Sequence, residues 1–233
     1  MFQMGRWEEA LNWFNRACEI CPGDPEANLH FQNMCRFLQT LVVERINNGA
    51  WNSILDPVPG YLNKLLAIYW HRTPEIKIFL ETGTYLGSMI HLVMNQFEKI
   101  ISVELSEVLF KNAVARFQNY PNVHLVRGNS GLVLTDILCE INEPCLFWLD
   151  AHYSGESTAR ADLDTPILQE LETILQHPVD QHVILIDDAA CFEQGWKDYP
   201  SINEIESFVE KRRPDWHCLN DRGVIRIQKA PFG

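Results

Sequence analysis

The chain reads as an α/β protein whose core is a doubly wound sheet of seven strands, mostly parallel. Three observations predict this class. From residue 77 onward, short apolar runs alternate with amphipathic stretches of helical period, the pattern of a parallel sheet covered on both faces. The ending "DWHCLNDRGVIRIQKA" places two strand-like runs around a turn, so the sheet should close with an antiparallel hairpin. Everything before about residue 60 is helical in pattern, which sets an N-terminal helical segment ahead of the sheet domain.

Taken in order, "GRWEEALNWFNRACEICPGDPEA" carries Trp7, Ala10, Leu11, Phe14, Ala17, Cys18 and Cys21 at helical spacing, and Pro22 to Pro25 ends that helix and starts another. The helical pattern continues from about residue 38 to 73, broken at "DPVPG". Strands are then predicted at 77–80, 99–103, 123–126, 145–149 and 182–186. The helices between and after them fall at 86–97, 106–118, 132–141, 166–176 and 202–211. The hairpin strands follow at 216–219 and 224–228.

Composition narrows the function classes. With 233 residues, 46% of them hydrophobic, the chain can fill one full-sized core with a small appendage. A net charge of −12 repels phosphates and anionic lipid, so neither nucleic acid nor a membrane is an expected partner, while a cationic ligand or a metal ion is compatible. No apolar run is long enough for a membrane helix and the N-terminus lacks signal-peptide order, so a soluble, cytoplasmic protein is expected. The seven cysteines are an odd count with one C-x-x-C pair, Cys18 and Cys21, which fits reduced and mostly buried thiols.

Chemistry begins at "IFLETGTYLGSMI". Gly83 stands just past the first strand, where a side chain would block backbone approach to a ligand, and Gly87 is expected to let the next helix pack tightly on the sheet. Glu104 ends the second strand 21 residues after Gly83, the interval at which an acid grips the hydroxyls of an adenosine ribose. Tyr85 replaces the middle glycine of a dinucleotide fingerprint, and no basic residue lies between Glu81 and Phe97 to meet a pyrophosphate. With Glu81 expected at the mouth of the loop, a cationic ligand such as S-adenosylmethionine suits the site better than a nicotinamide dinucleotide.

In this order "FLETGTYLG", "ISVELS", "VRGNS", "FWLDAHYSG" and "ILIDDA" resemble a class I S-adenosylmethionine-dependent methyltransferase over residues 75–229. The resemblance implies a Rossmann-like fold in which Glu81, Thr82, Gly83, Thr84, Tyr85, Gly87 and Ser88 line the methionine end of the cofactor. By the same resemblance Glu104 and Leu105 take the ribose, Gly128, Asn129 and Ser130 flank the adenine, and Asp150 borders the cofactor. The family more often has glycine where Tyr85 stands. The N-terminal helix resembles the second helix of a tetratricopeptide repeat through Gly5, Trp7, Ala10, Phe14, Ala17 and Pro22, over some thirty residues. The chain is then read as a repeat-like segment with linker at 1–60 and a methyltransferase domain at 61–233. The helices either continue a longer repeat array that binds a protein partner or pack on the main domain.

A second constellation is acidic. Asp150 follows "CLFWL" and Asp187 and Asp188 follow "VILI"; if the fourth and fifth strands are neighbours, three carboxylates converge, a set that calls for Mg²⁺ or another divalent cation. The set is similar to that of metal-dependent O-methyltransferases of the catechol branch and, through its Asp-Asp pair, of the cephalosporin-hydroxylase-like group. In the plainer reading, Asp150 is a loop acid and Asp187 and Asp188 only hydrogen-bond. His152 beside Asp150 is placed to take a proton from a metal-bound hydroxyl, to ligate the metal or to orient a ligand. The loop 153–165 is a candidate lid. The sequence thus points to methyl transfer from S-adenosylmethionine to a hydroxyl of a small molecule or sugar. The alternatives are a catalytically silent fold acting as an interaction module, and an NAD-dependent oxidoreductase.

Overall fold

A computed structural model describes Lys64, Ala67, Ile68, Thr73, and residues 75–152, 164–221 and 223–229. The repeat-like helices, Cys18, Cys21 and Cys35, and nearly all of the candidate lid lie outside the described residues.

Seven strands form one sheet: β1 Ile78–Thr82, β2 Lys99–Glu104, β3 Val123–Arg127, β4 Cys145–Leu149, β5 Val183–Ile186, β6 Trp216–Asp221 and β7 Val224–Lys229. Their spatial order is β3-β2-β1-β4-β5-β7-β6. The first five run parallel, and β7 pairs antiparallel with both β5 and β6. The doubly wound, Rossmann-like sheet with a terminal antiparallel hairpin is therefore present as the sequence predicts.

The strands read as unbroken apolar runs because both faces are covered. Alternate residues divide between two cores. Phe79, Leu146, Trp148, Val183 and Leu185 face one, together with Ala67, Ile68 and the helices α1 Ser88–Val93 and α2 Glu107–Phe117. Ile78, Leu80, Phe147, Leu149, Ile184 and Ile186 face the other, against α3 Ser130–Cys139, α4 Ile167–Gln176 and α6 Ile202–Arg212. One short helix, α5 Ala189–Glu193, falls where the sequence pattern gave none. It is only five residues long, less than two turns, and leaves no period to detect.

Local signals set the ends. Ser106 caps α2, and Ser201 with Glu204 forms a reciprocal capping box at α6. Arg213, just past α6, donates to the carbonyls of Leu175 (2.8 Å) and His177 (2.6 Å), closing the C-terminal end of α4.

The crossover between β1 and β4 positions the site. Strand β1 lies between β2 and β4, so the connections after β1 and β4 leave on opposite sides and open a crevice at the carboxyl edge. The ladder runs one residue past the strands there: Gly83 N donates to Val103 O, Gly128 N to Glu104 O, Asp150 N to Thr82 O and Asp187 N to Leu149 O, at 2.9–3.1 Å. The segments just past β1, β3, β4 and β5 therefore emerge with the end of β2 at the same edge of the sheet.

Candidate functional site

The loop after β1 contains three left-handed residues, Gly83 (φ 87°), Tyr85 (φ 46°) and Gly87 (φ 72°). At Gly83 a Cβ would stand 2.5 Å from the Asp150 carbonyl oxygen, so it is the neighbouring backbone after β4 that excludes a side chain. At Gly87 a Cβ would meet the Phe117 ring at 2.5 Å, so the close neighbour there is α2 and not the sheet that the sequence reading expected. Tyr85 adopts the same backbone region as the glycines around it, and its side chain is exposed.

Glu104 fixes that loop. Its carboxylate accepts from Tyr85 N and from Ser106 N, each at 2.8 Å, so one side chain ties the turns after β1 and β2 together. Burial pushes its pKa upward, against the pull of those backbone donors. A carboxylate has about four acceptor positions, so these backbone donors leave room for a ligand hydroxyl. Leu105 and Tyr85 flank it as exposed apolar side chains.

Glu81 departs from expectation. It lies beneath the loop, 1% exposed, and accepts from Ser102 Oγ at 2.5 Å. Thr84 Oγ1 is 2.6 Å from the same hydroxyl and shares a hydrogen bond with it. Burial, reinforced by Asp150 and Glu104, raises the Glu81 pKa to about 8, so at neutral pH it is mostly protonated and presents no charge at the mouth. In a parallel sheet a residue near a strand end faces a helix layer, and Glu81 stands directly opposite Ser102 in the register.

The segment assigned to the adenine is partly engaged. The Asn129 side chain accepts from Gly131 N at 3.0 Å and caps α3. Ser130 is buried and its hydroxyl, with that of Thr82, faces Glu170 of α4. Glu170 is a residue the sequence reading missed. Burial raises its pKa to about 7, opposed by the Ser130 and Thr82 hydroxyls. The available signal was its place at helical spacing from Ile167, Leu171 and Ile174, a carboxyl on an otherwise apolar face.

The acidic constellation does assemble, because β4 and β5 are neighbours. His152 lies between two carboxylates, with Nδ1 3.1 Å from Asp150 Oδ1 and Nε2 3.5 Å from Asp188 Oδ2. Burial alone would lower its pKa, but the hydrogen bond and charge of Asp150, then the charges of Asp188 and Asp187, raise it. Asp188 holds a left-handed backbone (φ 52°) and is half exposed. One ligand atom each from Asp150, His152 and Asp188 lie within 4.8 Å of one another, close enough for a metal ion.

Asp187 is turned elsewhere. It makes an ion pair with Lys64, whose Nζ also lies 3.9 Å from Asp150 Oδ2. Burial opposes the charge on each partner. The surrounding carboxylates nevertheless raise the Lys64 pKa, and burial with Asp150 raises that of Asp187. The ammonium–carboxylate form of the pair also offsets the charge of Asp150, so it is the form that suits the cluster. Lys64 too was missed by sequence reading. Asp150, His152, Glu170, Asp187, Phe192 and Tyr199 line one cleft, and the Tyr199 hydroxyl is buried with no hydrogen-bond partner among the described residues.

No family model matches the chain, and no curated protein does. Solved structures do. The O-methyltransferase from Bacillus cereus in complex with S-adenosylhomocysteine is 18% identical, with a TM-score of 0.51 over 82% of this chain and 90% of that one. A Podospora anserina methyltransferase bound to S-adenosylhomocysteine is 18% identical, with a TM-score of 0.50 over 96% and 97%. A Streptococcus mutans protein described as a methyltransferase, also with S-adenosylhomocysteine, is 12% identical, with a TM-score of 0.53 over 75% and 100%. What this chain shares with them at such identities is the fold.

Proposed function

We propose that the chain is an S-adenosylmethionine-dependent methyltransferase that acts on a hydroxyl group of a small molecule or sugar. The observation that carries this reading is the meeting, at one edge of the sheet, of a ribose-competent acid on a glycine loop with the Asp150, His152 and Asp188 cluster one crossover away. The likeness of the fold to structures that hold S-adenosylhomocysteine supports it.

In this reading the cofactor lies across the ends of β1 and β2, with Glu104 accepting from its ribose hydroxyls and Gly83 to Gly87 bordering its methionine part. The acceptor lies over β4 and β5. Methyl transfer forms the oxygen–carbon bond as the sulfur–carbon bond breaks, and the hydroxyl proton passes to His152 once that ring is neutral. Asp150 and Asp188 orient the ring and stabilise the imidazolium that results. The cleft residues Phe192 and Tyr199 exclude water from the reacting atoms.

The donor set of Asp150, His152 and Asp188 also fits a divalent cation in composition and spacing, with His152 then a ligand in place of the proton acceptor, although Asp187 is engaged by Lys64. When bound, such an ion lowers the pKa of an acceptor hydroxyl.

Calorimetric titration with S-adenosylhomocysteine tests the first step. We expect saturable one-to-one binding that Glu104→Ala weakens, and the absence of heat at millimolar ligand would refute the reading.

A further inference from the structure

The acidic cluster carries a cation of its own. Among the described residues around it, three carboxylates (Asp150, Asp187 and Asp188) face Lys64 and, when protonated, His152. The lysine is not a passing surface chain. Its helical register to Ala67 and Ile68, both fully buried in the core beside the sheet, anchors its stem, and its Nζ stands 5.7 Å from the centre of the buried Trp148 ring. The ammonium group therefore approaches the cluster from the α1 and α2 side of the sheet while His152 bridges it at the rim. The Lys64 side chain keeps 24% of its surface exposed.

The Lys64 ammonium and a divalent ion then draw on the same carboxylates, in a place where burial makes two neighbouring cations costly. The ion needs Asp150, and an ammonium 3.9 Å from an Asp150 oxygen repels it. We infer that Lys64 is a tethered counter-cation that competes with divalent metal for the Asp150 and Asp187 carboxylates, so that the cluster binds metal more tightly once Lys64 withdraws. The inference deepens the methyltransferase reading by assigning how its cation position is regulated, but its test needs no cofactor.

The experiment measures Mn²⁺ binding by the loss of the free-ion electron paramagnetic resonance signal, on the full chain without cofactor. Lys64→Met removes the charge and keeps the apolar stem; it is expected to bind Mn²⁺ at least about tenfold more tightly than the wild type, the scale set by removing a like charge at this distance. Lys64→Arg keeps the charge and is expected to bind no more tightly than the wild type. Circular dichroism confirms the fold, and Lys64→Gln, whose amide donates to Asp187, replaces Lys64→Met if that variant unfolds. Equal or weaker Mn²⁺ binding by the neutral variant, or none by either protein, overturns the inference. S-adenosylhomocysteine titration of the same samples reads the methyltransferase assignment separately: its failure with the Mn²⁺ result intact removes that assignment and leaves the competition standing.

Discussion

Replacing Glu81 by glutamine should change how stability depends on pH more than it changes stability itself. The folded protein keeps the Glu81 proton up to about pH 8, while the ordinary value of such a carboxyl is 4.5. A group whose folded pKa is raised contributes its full stabilisation below the unfolded pKa and loses it as pH rises through the folded value. Between those limits the unfolded chain has released a proton that the folded chain still holds, which gives a slope of about −1.4 kcal/mol per pH unit. From about pH 5.5 to 7.5 the wild type should therefore lose about 3 kcal/mol that Glu81→Gln retains. Glutamine is a near-isostere of the protonated acid, and its carbonyl accepts from Ser102 Oγ as the carboxyl does. The raised Glu170 carboxyl is present in both proteins and cancels in the comparison. Urea denaturation across this window, with ΔG extrapolated to water at each pH, measures the divergence. A wild-type and variant difference that stays constant with pH would refute the protonated, sheet-buried Glu81.

Gly83→Ala should lower stability by about 1–3 kcal/mol in the same assay, because its φ of 87° and the Asp150 carbonyl 2.5 Å from the new Cβ both oppose a side chain. Glu104→Gln should weaken S-adenosylhomocysteine binding by about tenfold or more in calorimetry, since it loses the anionic acceptor and loosens the Tyr85 and Ser106 contacts. Under the proposed chemistry, the rate of methyl transfer should rise with pH and level off above the ordinary histidine range. His152 accepts a proton only when neutral, and its pKa is raised by Asp150 and Asp188 against the effect of burial. His152→Ala should flatten that limb of the profile.

The architecture was legible because its signals are local and redundant. Apolar runs of four to six residues separated by helical periods leave little choice besides a parallel sheet, and "NDRG" between two such runs closes the hairpin, where Asp221 pairs with Val224. Helix starts were less legible. The sequence pattern opened the third helix at Leu132, but Asn129 caps it and Ser130 begins it, so the boundary is set by a side-chain hydrogen bond that hydrophobic periodicity does not register.

The site was legible in its positions and less so in its charges. Spacing placed Gly83, Glu104, Asp150, Asp187 and Asp188 at one edge, because in a parallel sheet each residue just past a strand must emerge there. Which of those acids is an anion is decided by what packs around it, and sequence order says nothing of that. Glu81 and Glu104 are both glutamates at strand ends near one loop. Ser102 and the sheet layers enclose the first, while two backbone amides hold the second within reach of a ligand. Lys64 lies 123 positions before Asp187 in the chain and meets it only because the helix carrying Ala67 and Ile68 packs over Trp148. Three acids after two strands read as a demand for a metal ion as long as that lysine is out of view. With it in place the cluster carries a cation of its own, and a divalent ion must compete for Asp150.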